Sequence, residues 1–145
     1  SIEETLMSYE SVTAAAAIGQ PDPYAGELPC AYITLTSGAT ANLREIEEFV
    51  RKNIPERAAI PVYIEIMESL PVTRVGKIFK PALRLKAMQR VIDSMFQVAN
   101  INANIQVLQS DRVGVTVEIT SNEDIESIEK VMKSITFNYS VIAST

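Results

Sequence analysis

Residues 70–84, with the sequence LPVTRVGKIFKPALR, connect a predicted strand to a predicted helix. Apolar side chains alternate over residues 62–66, shortly before this stretch, which predicts a strand. Pro81 suits the first turn of a following helix. Between them, Gly76 allows a tight turn and removes a side chain that would hinder close approach, and Lys77 supplies a cation that can be aimed at an anion. The stretch therefore predicts a turn that presents a lysine.

The same order of elements, helix–strand–strand–helix–strand, is predicted on each side of this turn. On the N-terminal side we predict a helix from the cap Ser1 to about residue 9, strands over 12–18 and 31–36, and a helix over 42–54 capped by Asn42. The Gly- and Pro-rich segment 19–23 is expected to stop the first strand. The alternation over 31–36 predicts that only one face of the second strand is buried.

On the C-terminal side, the lysine turn leads into a helix that reaches about residue 99. Strands over 105–108 and 113–119, a helix capped by Ser121 or Asn122, and a final strand over 137–143 follow. If residues 75–79 formed a further strand, this half would resemble a ferredoxin-like βαββαβ unit.

These patterns predict an α+β fold of small mixed or antiparallel sheets covered by helices, with an extra C-terminal strand–strand–helix–strand unit. We predict a lysine-bearing domain over residues 1–99 and an extension packed on it over residues 100–145.

Composition excludes several classes of function. The net charge of −5 over 145 residues argues against a nucleic-acid partner or a general membrane-surface role. The sequence has no transmembrane run and no signal-peptide pattern. Without histidine, a Ser-His-Asp or Cys-His triad is excluded within these residues, and no metal site is predicted. The single cysteine, Cys30, is interpreted as a small core residue.

Three segments together resemble the C-terminal domain of the adenylate-forming acyl-CoA synthetases, the family of the fatty-acid–CoA ligases. They are GQPDPYAGELPCAYITL (19–35), VYIEIMESLP (62–71) and the lysine turn, with an amphipathic helix between the first two. Their order and spacing match the family over roughly the first 90 residues. The resemblance implies the small, mobile domain of an AMP-forming acyl-CoA ligase, separated from its large N-terminal domain.

The resemblance assigns Lys77 the catalytic role of stabilising the transition state in which a carboxylate is adenylated. It gives Gly76 and Thr73 the task of shaping the turn. For Arg74 a solvated surface position is the plain interpretation and a phosphate contact is the sharper one. Pro71, Gly76 and Lys77 also form P-x-x-x-x-G-K, which in this family resembles the segment that protein lysine acetyltransferases recognise.

Two further groups of residues follow from the resemblance. Lys80 and Arg84 lie on a basic helix edge, which is interpreted as a solvated face or as a contact with the phosphates of CoA or with the partner domain. Asp22, Gly26 and Glu27 match the family's PDxxxGE loop and are interpreted as structural.

The implied activity needs ATP, CoA and Mg²⁺ in the full-length enzyme. The phosphate-binding loop and the hinge are not among these residues, so the fragment alone is expected to bind none of these groups and to be inactive. The implied location is cytoplasmic. The residues after 99 depart from the family's short form and carry no motif that assigns them a role.

Two alternatives stay open. A non-enzymatic α+β interaction or regulatory module would fit the element order, because folds of this kind host many roles. An adenylation domain that feeds a carrier protein would share the lysine motif. The lack of an Asp–Ser pair after residue 99 weakly opposes that second alternative.

Overall fold

The computed structural model describes residues 1–144 and divides the chain into two compact units. Unit 1 holds residues 1–19 and 28–83, and unit 2 holds residues 20–27 and the chain from residue 84 onward. The helices are α1 (Ile2–Met7), α2 (Leu43–Asn53), α3 (Lys80–Val98) and α4 (Ile125–Met132). The strands are β1 (Val12–Asp22), β2 (Gly26–Leu35), β3 (Ile64–Ile66), β4 (Asn104–Ser110), β5 (Gly114–Ser121) and β6 (Asn138–Ala143).

The predicted α+β class and the twofold element order are confirmed. Each half of the chain builds a three-stranded sheet, in the orders β1-β2-β3 and β4-β5-β6. β2 and β3 are parallel, as are β5 and β6, whereas β4 and β5 are antiparallel. Three residues join β1 to its hydrogen-bonded neighbour β2, a connection too short for parallel strands, so this pair is antiparallel as well.

The local signals that begin the helices of unit 1 act as predicted. The Ser1 side chain accepts a hydrogen bond from the Glu4 N–H, and the Asn42 side chain accepts one from the Arg44 N–H. These side chains satisfy amide groups that have no partner within the helix. Along α2, Ile46 and Val50 point into a buried core that also receives residues from α1, β1, β2 and β3.

The prediction that β2 has one buried face is wrong. Ala31 and Ile33 belong to the unit 1 core, but Tyr32 between them is also fully buried. Both faces of β2 are therefore covered along these residues. The hydroxyl of the buried Thr34 is satisfied by the Thr13 hydroxyl, 2.8 Å away, which is why a polar residue is tolerated there.

The predicted end of β1 is also wrong, because the strand continues through the Gly- and Pro-rich segment to Asp22. β1 is an edge strand. Proline has no N–H to donate. On the outer side of an edge strand no neighbouring strand requires that hydrogen bond, so Pro21 can be accommodated.

Unit 2 has its own buried core, built from α3, β4, β5 and α4. Its members include Ile92 and Phe96 from α3, Ile119 from β5 and Ile128 from α4. The predicted caps of α4 are wrong: its N-cap is Asp124. Ser121 instead ends β5, where its hydroxyl donates to the Asn102 carbonyl and accepts from the Glu123 N–H.

The ferredoxin-like alternative is wrong as well. Residues 75–79 form no strand, and only an isolated bridge joins Val72 and Ile78. The units describe packing rather than where a functional domain ends, so the predicted boundary after residue 99 stays a prediction.

Candidate functional site

Residues 71–79 form a short backbone-bonded loop, here called the lysine hairpin. The Phe79 N–H donates to the Pro71 carbonyl at 2.8 Å, and the Thr73 N–H donates to the Lys77 carbonyl at 2.7 Å. The Gly76 N–H closes the turn by donating to the Thr73 carbonyl at 3.0 Å. Three hydrogen bonds thus fix the backbone on both sides of the lysine.

Gly76 has the backbone conformation for which glycine is suited. Its φ angle is +84°, in the left-handed region where other residues are strained. A β-carbon added there would meet no atom within 4 Å, so backbone conformation alone would oppose a larger residue.

We expect Gly76→Ala to loosen the lysine hairpin. A left-handed alanine costs roughly 1–2 kcal/mol, so the amides of Thr73 and Gly76 should exchange with solvent roughly 5–30 times faster. Hydrogen exchange followed by NMR would measure this change. Gly76→Asn is the matched control, because asparagine tolerates this conformation better. Equal exchange in the wild-type protein and in Gly76→Ala would contradict the conclusion that the turn requires a glycine at this position.

The other hairpin residues place Lys77 in solvent. The Thr73 hydroxyl accepts a hydrogen bond from the Lys77 N–H at 3.2 Å, so this side chain braces the turn from within. Arg74 and Lys77 are both exposed. The lysine side chain is therefore free to meet an anion outside unit 1, while its backbone is held.

Lys80, the first residue of α3, lies at the base of the lysine hairpin and forms an ion pair. Its ammonium nitrogen is 2.8 Å from Oε2 of Glu3 in α1. The same carboxylate oxygen accepts a hydrogen bond from the Ala17 N–H of β1, also at 2.8 Å. Burial raises the pKa of Glu3, but the hydrogen bonds from Lys80 and Ala17 and the charge of Lys80 outweigh it, so the pKa lies below its ordinary value. Glu3 is thus ionised at neutral pH.

No pattern in the sequence identifies Glu3 as a partner of this region. It lies near the start of the chain and Lys80 lies beyond β3, so no short spacing signals the contact. Only the tertiary fold of unit 1 brings the two side chains together.

The remaining predicted residues lie in unit 2. Arg84 is exposed on α3. One carboxylate oxygen of Asp22 accepts hydrogen bonds from the Tyr24 and Ala25 N–H groups, at 2.9 and 2.8 Å. Gly26 begins β2 with a φ of +80°, and Glu27 is exposed. Asp22 and Gly26 therefore shape the β1–β2 turn through backbone contacts.

Two features are absent from residues 1–144. No group of three or more Cys, Asp or Glu side chains there is arranged to hold a metal ion. None of the helices in this part of the chain combines the length and apolar character needed to cross a bilayer.

A family model described as the AMP-binding enzyme C-terminal domain matches residues 1–77, from α1 to the hairpin lysine. The Marinolic acid–CoA ligase of Pseudoalteromonas sp. is 41% identical over 132 residues, which cover 90% of this chain and 20% of that protein. An acetyl-coenzyme A synthetase of Deinococcus radiodurans is 40% identical over 83 residues, covering 57% of this chain and 13% of that protein.

Solved structures give the same result for the fold. An acyl-CoA synthetase of Brucella canis aligns with a TM-score of 0.56 and 29% identity, over 62% of this chain and 17% of that one. A fatty acyl CoA synthetase of Mycobacterium tuberculosis aligns with a TM-score of 0.53 and 27% identity, over 59% of this chain and 16% of that one.

The chain spans about one fifth or less of the length of these relatives. The Marinolic acid–CoA ligase alignment covers 90% of the chain and so has to include most of unit 2, whereas the acetyl-coenzyme A synthetase alignment covers 57%. The family model spans more than half of the chain and includes the lysine hairpin up to Lys77. The chain therefore belongs to the family of AMP-binding enzyme C-terminal domains, found in adenylate-forming acyl-CoA ligases.

Proposed function

We propose that this chain is the mobile C-terminal domain of an AMP-forming acyl-CoA ligase and that Lys77 is its catalytic residue in acid activation. The observation that carries the proposal is the exposed Lys77 side chain on a backbone-fixed turn, inside the segment that matches the family. The parent enzyme, meaning this chain joined to a large N-terminal domain, would catalyse the complete reaction in the cytoplasm.

In the first half-reaction a carboxylate oxygen of the acid attacks the α-phosphorus of ATP, and pyrophosphate leaves to give an acyl-adenylate. Two anionic groups approach each other, and negative charge lies on the oxygens around phosphorus in the transition state. An ammonium group placed there stabilises that charge and aligns the reactants. Lys77 has the reach for this task because its four-carbon side chain extends from a held backbone into solvent.

In the second half-reaction the CoA thiol attacks the acyl carbon, the thioester forms and AMP leaves. The proposed mechanism moves this domain between the two steps, withdrawing Lys77 and presenting another face. Lys80 and Arg84 are proposed contacts for CoA phosphates or for the large domain, and Arg74 is a second candidate for a phosphate contact. Asp22, Gly26 and Glu27 are proposed to hold the β1–β2 turn.

Magnesium is expected to accompany ATP in the parent enzyme, but the residues described here do not fit its site. Hard divalent cations take several oxygen ligands, and no suitable acidic cluster occurs within residues 1–144. We place the ion's ligands in the large domain.

The relatives indicate the chemical class of the acid that the parent enzyme would activate, but not one particular acid. The relatives named as ligases of marinolic acid and as acetyl-coenzyme A synthetases favour a carboxylic acid as substrate and CoA as acceptor. A fatty acid is the substrate we propose to test first. Another similar structure is an amide bond synthetase of Marinactinospora thermotolerans, so a different acceptor remains a second candidate. A carrier-protein arm would be another such acceptor.

Removal of this chain from the parent enzyme tests the proposal. The shortened enzyme is expected to lose acyl-CoA formation from ATP, a fatty acid and CoA, because neither the lysine nor the second domain arrangement is present. Product formation can be followed by mass spectrometry. Full acyl-CoA formation without this chain would contradict the proposal and favour a regulatory module.

We also propose Lys77 as a target of a protein lysine acetyltransferase. The exposed side chain is accessible to such an enzyme, and acetylation would remove the charge needed for adenylation. A parent enzyme fully acetylated at Lys77 that kept its adenylation rate would refute this idea.

A further inference from the structure

Much of the apolar surface of the lysine hairpin lies in solvent rather than against unit 1. Val72, Val75 and Phe79 are exposed although they are apolar, and Val75 keeps 81% of its surface in solvent. The hydrogen bonds within the hairpin set its shape but not its orientation on unit 1. That orientation depends on the two ends, which lie at the buried Leu70 and at Lys80.

The Lys80 end is held through an ion pair. A cation in the first turn of a helix is disfavoured by the helix dipole, so Lys80 needs a nearby anion. Glu3 supplies it at 2.8 Å and is itself fixed by the Ala17 N–H of β1. A continuous chain of contacts therefore leads from the backbone of β1 through Glu3 and Lys80 to the base of the lysine hairpin.

We propose that Glu3 is a positioning residue that acts through Lys80 to set the direction of the lysine hairpin and hence of Lys77. This inference rests on the proposed role of Lys77 in adenylation. It gives Lys80 a task on unit 1 that differs from a contact with CoA.

Because the ion pair is partly exposed, an effect on the position of Lys77 can be distinguished from an effect on folding stability. The Lys80 and Glu3 side chains keep 39% and 37% of their surface in solvent, and exposed ion pairs contribute little to stability. A displacement of about 1 Å at a reacting group, however, can slow a reaction by roughly 100-fold. Loss of the pair should therefore affect adenylation far more than folding.

The test compares Glu3→Gln, Lys80→Met and the double variant in the parent enzyme. Glutamine keeps an oxygen for the Ala17 N–H, and methionine keeps most of the apolar stem of lysine. Each single variant is expected to lower ATP–pyrophosphate exchange by roughly 10- to 100-fold, and the double variant by no more than either single one. Acyl transfer from a supplied acyl-adenylate, the KM for CoA and the midpoint of thermal unfolding should change little.

Two controls accompany these variants. Glu4→Gln removes a neighbouring α1 carboxylate that is 86% exposed, and it should leave exchange unchanged. Lys80→Arg keeps a cation at the base of the hairpin and should retain most of the activity.

Unchanged exchange in Glu3→Gln, together with its loss in Lys77→Ala, would overturn the positioning inference alone. Unchanged exchange in Lys77→Ala would overturn the proposed function itself. An increase in the KM for CoA in Lys80→Met but not in Glu3→Gln would assign Lys80 to CoA binding and also overturn the inference. Equal loss of both half-reactions with a large fall in the unfolding midpoint would show a merely structural pair.

Discussion

Lys77→Ala in the parent enzyme is expected to lower ATP–pyrophosphate exchange with a fatty acid by roughly 10³-fold or more. The variant removes the one charge that the proposal places between the carboxylate and the α-phosphate. The backbone of the lysine hairpin should be unaffected, because its hydrogen bonds use main-chain groups and the Thr73 hydroxyl. Isotope exchange at saturating ATP would measure the loss.

Lys52→Ala is the control for this prediction. Lys52 is another exposed cation of unit 1, in the last turn of α2 and outside the lysine hairpin, so its removal tests whether net charge alone matters. A modest effect in the control beside the large loss in Lys77→Ala would support a specific role. Unchanged exchange in Lys77→Ala would remove the catalytic assignment and bring the non-enzymatic module to the front.

Ile119→Ala is expected to destabilise unit 2 by about 2–5 kcal/mol. Ile119 is fully buried in β5, the central strand of the second sheet, and truncation would leave a cavity in the unit 2 core. The β4 and β5 amides should then exchange at least roughly 30 times faster, since opening becomes that much more frequent. Hydrogen exchange with mass spectrometry can assign the change to these strands.

Ile125→Ala provides the comparison, because Ile125 in α4 is 54% exposed and alanine favours a helix. Its effect on exchange should be small. Similar exchange in the two variants would contradict the unit 2 core described above. Acyl-CoA formation by the parent enzyme carrying Ile119→Ala would also show whether an intact unit 2 core is needed for activity.

Local signals predicted the fold well where the chain decides structure over a few residues. Ser1 and Asn42 cap their helices through their own side chains, and apolar periodicity placed the helices and strands in the correct order. Predictions that depend on the surroundings of a strand within the folded protein were wrong. Pro21 lies within a strand because β1 is an edge, and Tyr32 is buried because both faces of β2 are covered. Neither fact can be read from the local sequence.

The candidate site was predictable for a different reason. A lysine after a glycine is common on protein surfaces, and only the match of several segments to a known family made Lys77 a catalytic candidate. Its environment was less predictable, because the contact between Glu3 and Lys80 exists only after unit 1 has folded. The role of Arg84 stays a prediction, and residues 100–145 carry no motif that assigns them a role.

The most direct measurement of the central claim is acyl transfer from a supplied acyl-adenylate to CoA, made on Lys77→Ala beside the exchange assay. If Lys77 serves adenylation and is withdrawn before thioester formation, transfer should remain within about tenfold of the wild-type rate while exchange is lost. A loss of transfer as large as the loss of exchange would contradict the separation of the two half-reactions between two arrangements of this domain.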